Sequence, residues 1–351
     1  MNCLACDGAS LKLCLDLGEQ PLANNYDSHE RYPLAINYCE NCWHAQLTYF
    51  VDPEKLYKNY YYVSGTSKTL KDWFNSFAGR FPKPGTMLDI ASNDGSLMRE
   101  FKYRQWSVFG VDPAENIVPG DLNVRVDYFN ESYSDPWQYD LITAFNVLAH
   151  VPDPLSILKG IYHNLKEDGV AYVMTSQAYM FQNGQFDTIY HEHHSYFSPH
   201  SFWTLANRAG FVNISYTIEP VHGGSYLFKL TKSNHKTGWY GKRPDFEGFK
   251  AKVDKIKPYK IVGFGAAAKA VVVINALNQP LDYIVDEAPL KIGKNIPGTD
   301  IPIVSTEFLQ YDSANLIIIV YAWNFYDEIV NKIKNLRPNK DDVIVRYWEQ
   351  L

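Results

Sequence analysis

Residues 190–198 read YHEHHSYFS, which sets His191, His193 and His194, the carboxylate of Glu192 and the phenols of Tyr190 and Tyr196 within one short stretch. Imidazole and carboxylate groups at this density serve either a metal ion or the movement of a proton. The helical pattern of zinc hydrolases needs two histidines four apart on one face, but the fourth residue after His191 is Ser195. On a strand His191 and His193 would share a face, yet no third ligand follows nearby, and Ser198 with Pro199 then opens a helix. Proton transfer fits the stretch better. A histidine with the usual pKa of about 6.5 is largely neutral and able to accept near pH 7, and Glu192 beside it could stabilise the imidazolium that forms. A polar loop merely lined by histidines is the plain alternative.

A second cluster is made of cysteines. All five lie before residue 43, and four form the pairs Cys3-x-x-Cys6 and Cys39-x-x-Cys42. Each C-x-x-C turn aims two thiolates at one ion, and two turns complete the tetrahedral set that structural zinc prefers. The alternative is four reduced thiols. Cys14 is left over, as a packing residue.

The segment LDIASNDGSL falls where a first strand turns into a first helix, the place where small residues let a ligand approach the backbone and the helix N-terminus. It is a degenerate glycine loop: Ala91 and Asn93 stand where glycines usually do, and Gly95 remains, with Asp89 behind them. Asp112, ending the next strand in GVDPA, could accept from both hydroxyls of a ribose. Asp127 and Phe129, in VDYF, would lie beside an adenine. Each lone aspartate could equally cap a strand end. NAD and S-adenosylmethionine both suit such a site. The fourth strand discriminates: FNVLAHVPDP, with Asn146 at the exit and His150 and Asp153 after it, resembles the post-strand segment of adenosylmethionine-dependent methyltransferases. His150 itself could be a cap or core residue. Further on, His222 of HGGS and Gly265 and Lys269 of GFGAAAKA mark two more turns that suit a ligand, the second with a lysine one turn into a helix, although hairpin and helix packing explain their small residues too.

The elements that must position these groups alternate. From Met87 strands and helices succeed one another, with a helix through SLMREFKYR and another through PLSILKGIYHNL, which predicts an α/β fold with a doubly wound parallel sheet. NISYTIEPV and SYLFKL would finish that sheet as an antiparallel pair. Residues 234–244 are polar and carry Gly and Pro, so they read as a linker, followed by a short helix through Lys257 and a second, smaller α/β sheet. The expected units are a zinc-binding module over 1–56, a Rossmann-like catalytic domain over 57–235 and an α/β domain over 245–351. The chain has 351 residues and a formal net charge of −6 with no basic run, which disfavours nucleic acid and anionic membranes as partners. The longest apolar run, around LIIIVYAW, is shorter than the ~20 residues needed to span a bilayer. A cytoplasmic monomer acting on a small molecule is expected.

Taken in order, CLAC with CENC, LGEQPLAN, the tyrosine-rich stretch before SGTS, ASNDGSL, NVLAHVPD, YHEHHSYFS, HGGS, GFGAAAKA and IPGTDIPI resemble the ketosugar C-methyltransferase family. These enzymes place a methyl branch on carbon 3 of nucleotide-linked 4-keto deoxysugars. The resemblance covers nearly the whole chain. It implies a zinc-binding N-terminal module, a central class I methyltransferase domain using S-adenosylmethionine, and a C-terminal α/β domain that helps hold the nucleotide sugar. It implies that His193, the second histidine of YHEH, is the base that removes a proton beside the ketone, with Glu192 and Tyr190 supporting it. Tyr62 and Tyr60 of KNYYYVS, His222, Gly265 and Lys269 would then bind or polarise the sugar nucleotide. The family's C-terminal loop usually reads GYGAAAKG, whereas this chain has Phe264 and Ala270. An O- or N-methyltransferase of such sugars, and a non-catalytic zinc-containing binder, are the competing classes.

Overall fold

The structure, a computed structural model, describes all residues except 27–29, 53–54, 57–64, 66, 233–241, 254–261, 313–315, 339, 341 and 350–351. Tyr60 and Tyr62 therefore lie outside the described residues, as does most of the expected linker.

Three sheets organise the chain. The central one has seven strands in the order Asn213–Glu219, Ser225–Thr231, Leu165–Thr175, Tyr139–Phe145, Thr86–Ile90, Ser107–Val111 and Val124–Arg125. The strands from Leu165–Thr175 to Val124–Arg125 pair in parallel. Ser225–Thr231 enters antiparallel, between Leu165–Thr175 and the edge strand Asn213–Glu219. Thr86–Ile90 sits mid-sheet, at the point where the strand order reverses, so its C-terminal end opens into the crevice where such sheets bind ligands. Its run MLDI is buried throughout, as a strand covered on both faces requires. The expected strand through VDYF stops at Arg125. There the Asp127 carboxylate accepts the N–H of Tyr128 at 2.8 Å, a local bond that replaces a ladder.

Helices cover this sheet with apolar faces. Lys68–Ala78 buries Leu70, Trp73, Phe74, Phe77 and Ala78 at helical spacing, and Ser67 caps it by accepting from the Leu70 N–H at 3.2 Å. Pro154–Asn164 is started by Asp153, whose carboxylate accepts from the Ser156 N–H, and by proline at the first turn. Pro199–Arg208 follows a capping box formed by Ser198 and Ser201, and Gly210 at φ 104° closes it.

The C-terminal sheet is parallel, in the order Ile303–Val304, Ile284–Val285, Val262–Phe264, Ile317–Val320 and Val343–Arg346. Phe246–Val253 is the short helix before it, and the rest of the expected span, to Lys257, lies outside the described residues.

The N-terminal sheet holds the surprise. Leu11–Pro21, Arg31–Cys39 and Ala45–Leu47 are joined by Ser195–Tyr196, with Ala45 paired to Tyr196 and Gln46 to Ser195. The histidine-rich stretch thus leaves the central domain and docks on the zinc module, and Leu47 donates its N–H to the His194 carbonyl at 3.0 Å. One hydrophobic core follows the same path, since Ile36 and Leu47 of the N-terminal sheet, Phe186 and Ile189 ahead of the histidines, and Val271, Ile274 and Trp323 of the C-terminal domain belong to a single cluster. No helix among the described residues is long and apolar enough to cross a membrane.

Candidate active site

The loop after Thr86–Ile90 explains why its sequence departs from glycine without losing its shape. Ala91, Asn93 and Gly95 have φ of 54°, 51° and 73°, all in the left-handed region. Two of these are side-chain-bearing residues held in a sparsely populated conformation, a cost that tends to be found at functional sites. Asp112 holds the loop in place: its carboxylate accepts from the Asn93 N–H and the Ala114 N–H, both at 2.8 Å. Asp89 is buried and accepts from the Thr143 hydroxyl at 2.6 Å, and burial pushes its pKa up to about 7. Asn146, also left-handed at φ 56°, closes the crevice at the exit of Tyr139–Phe145, and its Oδ1 is buried without a hydrogen-bond partner among the described residues. A crevice of backbone N–H groups, acidic side chains and unsatisfied polar atoms suits a ligand with ribose hydroxyls and positive charge, and S-adenosylmethionine carries both. Asp127 stands exposed at the tip of Val124–Arg125, where its N–H donates to the Asp112 carbonyl.

Phe129 follows that strand end. Its ring is buried against Tyr133, with centroids 4.7 Å apart, and against Gly160, where an added Cβ would fall 2.8 Å from Phe129 Cε1. It packs in the core under the Pro154–Asn164 helix.

Asp112→Ala is expected to lower affinity for adenosylmethionine at least tenfold. Losing hydrogen bonds to a charged group costs about 1.5–3 kcal/mol, and ~1.4 kcal/mol is a factor of ten in affinity. Calorimetric titration checks this, and an unchanged dissociation constant would move the cofactor elsewhere.

Across the crevice His193 is enclosed by three partners. Its Nδ1 lies 2.9 Å from the Thr188 carbonyl and 3.1 Å from the Gln177 side-chain amide, and its Nε2 lies 2.8 Å from the Tyr190 hydroxyl. A carbonyl can only accept, so Nδ1 carries the hydrogen and Nε2 keeps its lone pair, which the Tyr190 O–H fills. His150, on the turn after Asn146, presents its ring edge-on with centroids 4.7 Å apart. That contact ties His193 to the turn that follows Asn146. Burial first, then the charges of His150 and Lys269, hold the His193 pKa well below 6.5, so the imidazole is neutral at working pH.

Glu192 requires a correction. Its buried carboxylate is engaged by Asn24 of the LGEQPLAN segment, and burial raises its pKa to about 7. The expected pairing with the His193 ring is replaced by Tyr190, Thr188 and Gln177, because residues 191–192 form a turn, closed by the His193 N–H donating to the Tyr190 carbonyl at 2.9 Å, and the Glu192 side chain leaves it toward Asn24. Glu192 ties the loop to the zinc module instead. Gln177 and Thr188 are contacts that no sequence motif marks; Gln177, at φ 79°, lies two residues beyond the strand Leu165–Thr175.

The C-terminal domain closes the cleft. Gly265, at φ 90°, has no room for a side chain, since a Cβ there would fall 2.6 Å from Ala322 Cβ. Tyr26 of the N-terminal module and Lys291 both donate to the Ala266 carbonyl, at 2.7 and 2.9 Å. His222 has φ 53°, and burial lowers its pKa to about 4. Lys269 Nζ lies 3.7 Å from the centre of the Trp323 ring.

At the far end of the N-terminal sheet the four Sγ atoms of Cys3, Cys6, Cys39 and Cys42 all lie within 4.8 Å of one another, with Cys3 and Cys42 at 3.5 Å and Cys6 and Cys39 at 3.6 Å. Four sulfurs on a tetrahedron with bonds of about 2.3 Å would stand ~3.8 Å apart, so this cage fits zinc with little movement. Its position is structural: the knuckle Ala5 carbonyl accepts from Arg208 at 2.7 Å, and the cysteines pack with Phe197 and Phe202, just beyond the histidines. Cys14 is remote, buried in the main core.

Three family descriptions match in series: a zinc binding domain over residues 3–57, a methyltransferase domain over 62–216 and a C-methyltransferase C-terminal domain over 246–346. The C-methyltransferase NovU of Streptomyces niveus is 24% identical over 398 aligned residues, covering 98% of this chain and 94% of its own. The ubiquinone biosynthesis O-methyltransferase of Pseudomonas paraeruginosa is 30% identical over 125 residues, but covers only 31% of this chain and 53% of its own. Among solved structures, the Burkholderia thailandensis 1,6-didemethyltoxoflavin-N1-methyltransferase aligns with a TM-score of 0.41 at 14% identity, covering 56% of this chain and 99% of that one. Strand order, crevice and sequence matches together define a class I methyltransferase that uses S-adenosylmethionine and carries a zinc module. Within that class the chain belongs to the C-methyltransferases, joined by the C-terminal domain particular to them.

Proposed function

We propose that this C-methyltransferase acts on carbon 3 of a nucleotide-linked 4-keto deoxysugar, through an enolate that His193 generates. The observation that carries the reading is the tautomer of His193: Thr188 fixes the hydrogen on Nδ1 and leaves Nε2 basic. A hydrogen on carbon next to a ketone is acidic enough for such a base, whereas methylation of oxygen or nitrogen needs no carbon acid. Tyr190 donates to Nε2 at 2.8 Å, so the proton reaches the imidazole through its hydroxyl or after the hydroxyl swings aside. Bound on Asp89, Ala91, Asn93, Gly95, Asp112 and Asn146, adenosylmethionine supplies an electrophilic methyl group. Fixed polar groups around the reacting atoms lower the barrier by alignment and by stabilising developing charge. His222 and Gly265, with Tyr60 and Tyr62, are the residues offered to the sugar nucleotide in this reading.

Supplying a panel of nucleotide 4-ketosugars with methyl-labelled adenosylmethionine tests the substrate class. Label transferred to a ketosugar supports it, and transfer only to substrates lacking a ketone contradicts it. The pH dependence follows from the same site. Because the His193 pKa is lowered, its neutral form persists below pH 6.5. The acid limb of kcat/KM is therefore expected below that value, since this ratio reports the free enzyme. A limb at or above 6.5 would assign the titration to another group.

A further inference from the structure

The position of Lys269, in the first turn of a helix after small residues, would make it a counter-charge to a pyrophosphate at the helix N-terminus, but the side chain is turned elsewhere. Its Nζ is shut off from solvent, has no hydrogen-bond partner among the described residues, and rests on the face of Trp323 at 3.7 Å. A desolvated ammonium is costly unless something negative is near, and the ring's electron-rich face compensates only part of that cost. Trp323 itself is fixed from both sides. Its Nε1 donates to the buried Asp187 carboxylate at 2.5 Å, and Tyr347 donates to the other oxygen at 2.6 Å. A Cβ on Gly223 would fall 1.8 Å from the ring, so the turn bearing His222 lies directly on it.

These contacts bring Lys269 to the base. Asp187 immediately precedes Thr188, whose carbonyl orients His193, and His222 immediately precedes Gly223. One indole thus joins the lysine, the base's positioning turn and the HGGS turn. The field of the ammonium reaches both histidines and disfavours their protonation, while Asp187 steadies the lysine's charge. Asp187 has its two oxygens engaged by Trp323 and Tyr347.

We propose that Lys269 is a catalytic residue of the carbon-acid step, its ammonium receiving the negative charge that forms on the substrate's carbonyl oxygen. This rests on the ketosugar reading above. In the step, the C–H bond beside the ketone breaks and its proton moves to His193. The electron pair left on carbon makes a carbon–carbon double bond, and the carbonyl π pair settles on oxygen, against Lys269. Neither oxidant nor reductant is needed. Asp187 and Trp323 act as positioning residues that keep the ammonium in place while the oxygen is neutral. A donor that meets charge only as it develops lowers the barrier without tightening ground-state binding.

The test is hydrogen exchange in heavy water with a thymidine-diphosphate-linked 4-keto-6-deoxyhexose and adenosylhomocysteine, comparing wild type with Lys269→Met and Lys269→Gln. Adenosylhomocysteine affinity and zinc content serve as folding controls. At saturating ketosugar, exchange at carbon 3 is expected to fall by about 10²–10³-fold in both variants, as for loss of an oxyanion donor, with the half-saturating concentration little changed. If the half-saturating concentration rises instead and the saturated exchange rate stays at the wild-type value, Lys269 is a pyrophosphate counter-charge and the proposal is wrong. Should wild type itself show no exchange, the ketosugar reading fails and takes this proposal with it. A variant that loses adenosylhomocysteine binding is set aside for the other, and loss in both shows Lys269 to be structural, which also overturns the proposal.

Discussion

Replacing His193 by Asn is expected to leave the protein folded, with zinc and adenosylmethionine bound, while turnover falls by about 10²–10⁴-fold, the usual effect of losing a positioned general base. Asn retains a donor that can reach the Thr188 carbonyl but offers no basic nitrogen at the Nε2 position, so the hydrogen-bonded turn should survive while the chemistry does not. Cofactor binding should be unaffected, because the groups assigned to it stand on the loop after Thr86–Ile90 and on the next strand end. Single-turnover rates at saturating substrates measure the effect without interference from product release. A variant within threefold of wild type would show that another group, Tyr190 first, takes the proton.

Cys39→Ser should instead act on folding. Cys39 is fully buried at the end of Arg31–Cys39 and supplies one of four sulfurs, so its loss opens the cage. Structural zinc contributes roughly 10–16 kcal/mol in small zinc modules at pH 7. Even a fraction of that would be felt, since ~1 kcal/mol shifts Tm by about 2–4 °C in proteins of 150–250 residues. A drop in Tm of ~10 °C or more is expected, with about one zinc per chain lost. Because the knuckle holds Arg208 and the sheet holds Ser195–Tyr196, residual activity should fall as the histidine loop loosens. Cys14→Ala is the control: it removes a core thiol and should leave the metal content unchanged. Metal analysis and thermal melting check both, and Cys39→Ser retaining full zinc would contradict the four-thiolate site.

The sequence was most legible where chemistry depends on local spacing. The cysteine pairs converge as their x-x spacing predicts, and the glycine-like loop has its left-handed backbone at Ala91 and Asn93, the positions where glycines were missed. Strand and helix alternation likewise predicted the parallel sheet and its antiparallel finish. What the sequence hid lies in contacts between distant segments. Trp323 meets Asp187 across 136 residues and Gln177 meets His193 across 16, and no periodicity signals either. Adjacency misled in one case, because Glu192 sits next to His193 in the chain yet faces Asn24. The largest difference, the docking of Ser195–Tyr196 onto the zinc-module sheet, depends on a two-residue strand too short to leave a pattern. Through it the zinc-module sheet carries the histidine-rich loop.

The proposed function requires that the methyl group is delivered to carbon, on a ketosugar, after proton removal by His193. The most direct measurement is the carbon NMR spectrum of product formed from a thymidine-diphosphate-linked 4-keto-6-deoxyhexose and adenosylmethionine carrying a ¹³C methyl. The expected product carries a labelled methyl bonded to a sugar carbon, coupled to a carbon-3 that has lost its hydrogen. A labelled methyl on oxygen or nitrogen, with the carbon-3 hydrogen still in place, would contradict it.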